Sequence, residues 1–166
     1  ASRLDDPAFL PGGDPRGMYT LAVGFPAQCL NALAIATAAP LPADGAGIDA
    51  VVLTGLGGSA AGGDFARALF DLHGRVPFSV NRDYALPAWA GPRTLVIATS
   101  YSGNTEETLA AYADARRRQA RLVVVSSGGE LSRLAATDGV PLVAIPGGQP
   151  PRTALGRRGW RAALPL

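Results

Sequence analysis

Val96-Ile97-Ala98-Thr99-Ser100-Tyr101-Ser102-Gly103-Asn104-Thr105-Glu106-Glu107-Thr108 is an apolar, β-branched run that stops at a cluster of hydroxyls, one glycine and one asparagine. A helix-like segment follows, with Glu106 and Glu107 in its first turn. A strand that feeds a helix through such a loop leaves backbone N–H groups unpaired at the helix N-terminus, where the helix dipole is positive. That end attracts anions, and the hydroxyls of Ser100, Ser102 and Thr105 can add donors. The chain has no lysine to act as a point charge, so the loop reads as a phosphate cradle of hydroxyls and amides. One Ser or Thr alone would read as a helix cap; the cluster points to phosphate.

The same alternation extends to both sides. Apolar runs at 49–54, 76–81, 94–99, 121–125 and 141–145 predict five strands. Helical patterns cover 18–38, with Pro26 interrupting or restarting the helix, then the stretch from the glycines near 55 to about Leu72, then 106–118 and 131–137. Residues 1–16 form an irregular lead-in, 40–47 a turn-rich connector, and 82–92 a loop carrying Trp89. The strands are continuously apolar, as strands buried on both faces are. They therefore predict a three-layer α/β/α sandwich around a five-stranded parallel sheet. Ligands bind such sheets outside the carboxyl ends of the strands. Three loops rich in small polar residues converge there: Gly55-Leu56-Gly57-Gly58-Ser59, 100–105, and Ser126-Ser127-Gly128-Gly129.

Composition sets the outer bounds. The 166 residues suffice for one domain with a real core, and 48% hydrophobic against 17% charged residues excludes a disordered chain. All 15 basic residues are arginine, yet the formal net charge is only +2 and no basic stripe interleaves with aromatics, which argues against nucleic acid. Arg116-Arg117-Arg118 with Arg121 reads as a solvated helix C-terminus. The single cysteine, Cys29, permits no internal disulfide and reads as a small buried side chain rather than a nucleophile. No apolar run is of membrane-spanning length and no leader pattern opens the chain, so the expectation is a cytoplasmic protein without a membrane partner.

Gly55-Leu56-Gly57-Gly58-Ser59-Ala60 also fits the G-x-G-x-x-A form of the dinucleotide fingerprint. On that reading Asp83 would serve a ribose hydroxyl and Arg82 a 2′-phosphate, but 100–105 would have no role. A third possibility is that these glycines only let a helix pack closely on a strand.

Taken together, the loops resemble the sugar isomerase, or SIS, domain. Its Ser-x-Ser-Gly-x-Thr-x-Glu loop is matched by Ser100-Tyr101-Ser102-Gly103-Asn104-Thr105-Glu106-Glu107. Gly24-Phe25-Pro26-Ala27-Gln28, Thr54-Gly55-Leu56-Gly57-Gly58-Ser59-Ala60, Arg82-Asp83-Tyr84-Ala85-Leu86-Pro87, Ser126-Ser127-Gly128-Gly129 and Pro151-Arg152-Thr153-Ala154-Leu155-Gly156 follow in the order of the bifunctional phosphoglucose/phosphomannose isomerase family. The resemblance runs from about Leu4 to Gly156. It implies a flavodoxin-like SIS fold over 49–156, a helical lead-in over 1–48 that packs on it, and an atypical tail over 157–166, such as a truncation or shifted reading frame would give.

The resemblance also implies a hexose 6-phosphate site. Ser100, Ser102 and Thr105 would hold the phosphate; Gly57, Gly58 and Ser59 would line the sugar side; Arg152 would be catalytic, stabilising an enediolate-like transition state. The reaction would interconvert aldose and ketose 6-phosphates, with no metal or organic cofactor. Family members carry two SIS domains, and their base glutamate, ring-opening histidine and a late lysine belong to the half this chain does not match. His73, the only histidine, reads as a helix C-terminal residue, and Glu106, Glu107 and Glu130 as helix-start residues, so no general base is assigned. A homodimer or a separately encoded second SIS domain would complete the assembly. The alternatives are a non-catalytic phosphosugar sensor and a dinucleotide-binding module.

Overall fold

A computed structural model describes residues 13–39 and 47–148. Two helices, α1 (Met18–Val23) and α2 (Phe25–Ala38), precede β1 (Ala50–Thr54), α3 (Gly58–His73), β2 (Phe78–Asn81), β3 (Thr94–Ser100), α4 (Glu106–Arg117), β4 (Arg121–Ser126), α5 (Gly129–Asp138) and β5 (Leu142–Ala144). The five strands form one sheet in the order β2-β1-β3-β4-β5, and every pair is parallel. The expected doubly wound architecture is what the chain adopts.

Burial explains the continuous apolar strands. Every residue of β1 and β3, in the middle of the sheet, is buried, whereas the edge strands β2 and β5 are only partly covered. Alternate side chains feed two cores. Val52, Val96, Ala98 and Val124 pack with Ala111, Tyr112, Ala115 and Leu131 of α4 and α5. Val51, Leu53, Ile97 and Val125 pack on the other face, with Phe70 of α3 and Ile35 of α2 against them. Gly63 is where α3 presses closest: a Cβ there would lie 2.7 Å from Leu53 Cδ2. This close helix–strand packing falls at Gly63, outside the Gly55–Gly58 stretch.

Pro26 restarts the N-terminal helix: the break falls at Gly24, and Pro26 sits in the first turn of α2, where its missing N–H costs nothing. Two local readings change. Cys29 is exposed rather than buried, because α2 turns Gln28, Ala32 and Ala36 inward instead. Arg118 is not a solvated terminus. Its guanidinium bonds Asp114 (Nε–Oδ1 3.0 Å) and reaches the carbonyls of Pro87 (2.9 Å) and Leu86 (3.4 Å).

That arginine matters because the β2–β3 connection, residues 82–93, has no helix. Leu86 and Ala90 fill the place beside α4 that a crossover helix would take. Asp114 completes the brace by accepting the Leu86 N–H (3.0 Å) and pairing with Arg117. Burial works against the charged carboxylate, but the Leu86 N–H and the two guanidiniums outweigh it and hold its pKa below the ordinary value. Tyr112 donates to Asp138 (2.7 Å), tying α4 to α5.

A folded-state pKa lowered in this way contributes stability that is present above the unfolded carboxylate pKa and lost as pH falls through the folded one. Asp114→Ala should cost about 3 kcal/mol at neutral pH, since it strands a largely buried guanidinium and a backbone donor. Urea unfolding will show this, and the gap between wild type and variant should narrow on acidification below the ordinary carboxylate range.

Candidate functional site

The carboxyl ends of β1, β3 and β4 lie side by side, and each loop that leaves them enters a helix directly. Ser100, at the end of β3, is only 2% exposed. Its Oγ accepts the Gly103 N–H (3.1 Å) and shares a hydrogen bond with Thr105 Oγ1 (2.8 Å). Ser102 is exposed, and its Oγ accepts the Asn104 N–H (3.2 Å). Thr105 occupies the N-cap position of α4, yet its hydroxyl turns to Ser100 and no side-chain oxygen caps that helix. The predicted hydroxyls are therefore gathered in one tight loop at a helix N-terminus that has no side-chain cap.

The neighbouring loop holds this one in place. Gly103 O accepts the Leu131 N–H (2.9 Å) and Asn104 Oδ1 accepts the Glu130 N–H (2.9 Å). First-turn amides of α5 are thus engaged by the 100–105 loop. Ser127 donates to the Tyr101 carbonyl through both its N–H (3.3 Å) and its Oγ (2.5 Å). The 126–129 stretch, which the sequence places on the ligand edge, supports the cradle through these contacts. Asn104 as a cap for a different helix is the functional contact that sequence reasoning missed; its signal was an asparagine 26 residues from its partner, which no local rule can pair.

Close approach explains the glycines here. Gly103 has φ +73°, and a Cβ on it would fall 1.8 Å from the Gly128 carbonyl oxygen. A Cβ on Gly129, at φ +71°, would fall 2.2 Å from the Ser102 carbonyl oxygen.

On the other flank, a Cβ on Gly55 would lie 2.8 Å from the Thr99 carbonyl oxygen, so the β1–α3 loop starts against the end of β3. Gly57, at φ 55° and ψ −126°, precedes α3, which also lacks a side-chain cap. Gly58 is half-buried and Ser59 buried in the first turn. Arg152 lies outside the described residues, as does the rest of the 151–156 motif and the tail.

The other candidates are accounted for locally. Arg82 pairs with Asp64 of α3, and an Asp83 oxygen accepts the Tyr84 N–H (2.7 Å), so the two residues a dinucleotide would use already have partners. The hydrogen bond from Arg133 holds the Glu130 carboxyl below its ordinary range, which makes it a poor base near neutrality. The negative charges of Glu106 and then Glu107, with burial and Asp83, push the Tyr84 phenol up. His73 is exposed in the last turn of α3. Among the described residues no cluster of three His, Cys, Asp or Glu could hold a metal ion, and no helix is long and apolar enough to cross a membrane.

The model of the SIS domain matches residues 47–142, which spans β1 to β4 and the three loops and ends at the start of β5. The chain belongs to the SIS-domain family. The chain is 45% identical over 139 residues to a bifunctional phosphoglucose/phosphomannose isomerase of Caldicellulosiruptor bescii, covering 84% of the chain and 41% of that relative. It is 38% identical over 95 residues to a D-glucosamine-6-phosphate 4-epimerase of Sulfolobus acidocaldarius, covering 57% and 29%. Among solved structures it superposes on a hypothetical protein of Thermus thermophilus with a TM-score of 0.60 at 26% identity, covering 95% of this chain and 39% of that one. The chain thus spans about two fifths of the length of the isomerase it matches.

Gly103→Ala tests the loop contact. With a methyl that cannot fit and a left-handed backbone to strain, the variant should lose about 2 kcal/mol or more of stability. Its amide spectrum should shift at both 100–105 and 126–131.

Proposed function

We propose that this SIS domain binds a hexose 6-phosphate in the cleft between the 55–59 and 100–105 loops. It would be the phosphosugar-binding part of a glucose-6-phosphate/mannose-6-phosphate isomerase. The observation that carries the reading is Thr105: it stands where a capping residue should, but its hydroxyl is hydrogen-bonded with that of Ser100. An anion at that point would receive α4 amides and the exposed Ser102 hydroxyl, in the favourable end of the helix dipole. The names of the relatives fit the same ligand, since phosphoglucose, phosphomannose and glucosamine 6-phosphate all pair a hexose with a phosphate. Gly57, Gly58 and Ser59 would face the sugar.

Isomerisation moves a proton between C1 and C2 and needs a general base, with a cation near the developing enediolate. Arg152 is the proposed cation. The base would come from a second SIS domain, whether encoded separately or supplied by another copy, because Glu130 is tied to Arg133 and Glu106 and Glu107 stand in a helix first turn. The same lack of an available base among the described residues favours a second reading, a phosphosugar sensor without turnover. A cytoplasmic setting suits either.

Fructose 6-phosphate at about 100 times its dissociation constant should raise the unfolding free energy by about 2.7 kcal/mol. Ser102→Ala with Thr105→Val should remove most of that gain, and NAD or NADP should give none. No shift with any hexose 6-phosphate would sink both readings. A coupled assay then separates them, and turnover that survived Arg152→Ala would withdraw that residue's role.

A further inference from the structure

Four strands of the sheet, β1 to β4, end in a buried polar residue on the same face. Val52, Val96 and Val124 face α4 and α5. Side chains alternate along a strand, so Thr54, Ser100 and Ser126, the last residues of β1, β3 and β4, face the same way. Asn81, the last residue of β2, stands opposite Thr54 and donates from Nδ2 to its Oγ1 (3.3 Å), which puts it in the same row. None of the four is more than 9% exposed. Polar side chains buried this deeply cost free energy unless they are hydrogen-bonded, so each bond in the row is informative.

Two members fold back the loop that leaves their own strand. Ser100 Oγ accepts the Gly103 N–H, and Ser126 Oγ donates to the Gly128 carbonyl (2.8 Å). The β1–α3 loop has no comparable side chain. Of residues 55–58 only Leu56 has one, and it is 40% exposed; α3 has no side-chain cap. Its anchor comes from the neighbouring strand. The Asn81 carbonyl accepts the Gly55 N–H (3.1 Å), while Nδ2 reaches both Thr54 Oγ1 and the Asp83 carbonyl (3.0 Å). One side chain and one carbonyl thus fix the end of β1, the first residue of its loop and the start of the 82–93 connection. The 100–105 loop is held from elsewhere, by Ser100 and by the first-turn amides of α5. The two walls of the cleft are therefore held by separate devices.

We propose that Asn81 is a positioning residue for the sugar end of the cleft. It fixes Gly57, Gly58 and Ser59 relative to the sheet without touching the ligand, and so sets how well the site tells a hexose 6-phosphate from phosphate alone. This rests on the hexose 6-phosphate reading of the cleft and deepens it.

Amide chemical-shift titrations of the full chain, with fructose 6-phosphate and with inorganic phosphate, separate the two walls. The wild type should bind fructose 6-phosphate more tightly than phosphate. Asn81→Ala should weaken fructose 6-phosphate by about 10-fold or more, because a small displacement of a supporting group is costly, and should leave phosphate binding unchanged. Thr54→Val removes the same contact from its other end at equal size and should lower the same ratio. Thr54→Ser, which keeps the hydroxyl, should retain the wild-type ratio. If Asn81→Ala does not fold, the two Thr54 variants decide. A residue that only stabilised the fold would weaken both ligands alike, so equal weakening overturns the proposal, as does a wild-type ratio in Asn81→Ala or Thr54→Val. Such variants would leave the hexose 6-phosphate reading standing, whereas a wild type that binds neither ligand overturns that reading and the role of Asn81 with it.

Discussion

The site depends on one backbone contact. Gly103 and Gly128 approach so closely that no side chain fits between them, and the carbonyl of Gly103 then meets the Leu131 N–H of α5. A loop of exposed and half-exposed polar residues would ordinarily sample many conformations. Here the first turn of a neighbouring helix clamps it, through Gly103 O and Asn104 Oδ1. Two helix N-termini thus sit next to each other with different tasks. Amides of α5 hold the loop, and the N-terminus of α4, the positive end of its dipole, carries no side-chain cap.

A second constraint acts from the far side. The β2–β3 connection has no helix to stiffen it, yet it runs from the ligand edge down the flank of α4. Asp114 and Arg118 replace the missing helical hydrogen bonds by capturing the Leu86 N–H and the carbonyls of Leu86 and Pro87. The cost of burying this carboxylate is offset because every oxygen has a donor. At its other end, the same connection is tied to α3 by the Arg82–Asp64 pair.

These two devices share a principle. Side chains that look like ligands for an anion or a nucleotide are engaged first with the protein itself. Ser127 and Asn104 hold loops; Arg82, Arg118 and Arg133 hold carboxylates. What remains toward solvent at the carboxyl edge is a smaller set, led by the exposed Ser102, the half-buried Thr105 and the start of α4.

By itself, the sequence determined the strands, their parallel arrangement and the strand–loop–helix unit at 94–117, because continuous apolar runs and a dipole-compatible helix start are local signals. It also marked Ser100, Ser102 and Thr105 as a cluster, since they are neighbours in the chain. Tertiary structure alone decided which polar groups stayed available. Cys29 lies outside because α2 docks through Ala32 and Ala36, and Arg118 turns inward because a loop 28 to 32 residues earlier offers it carbonyls. Asn104 caps a helix it does not belong to because Gly103 lets two loops touch. Such choices depend on contacts between segments far apart in the chain, and no window of neighbouring residues contains them.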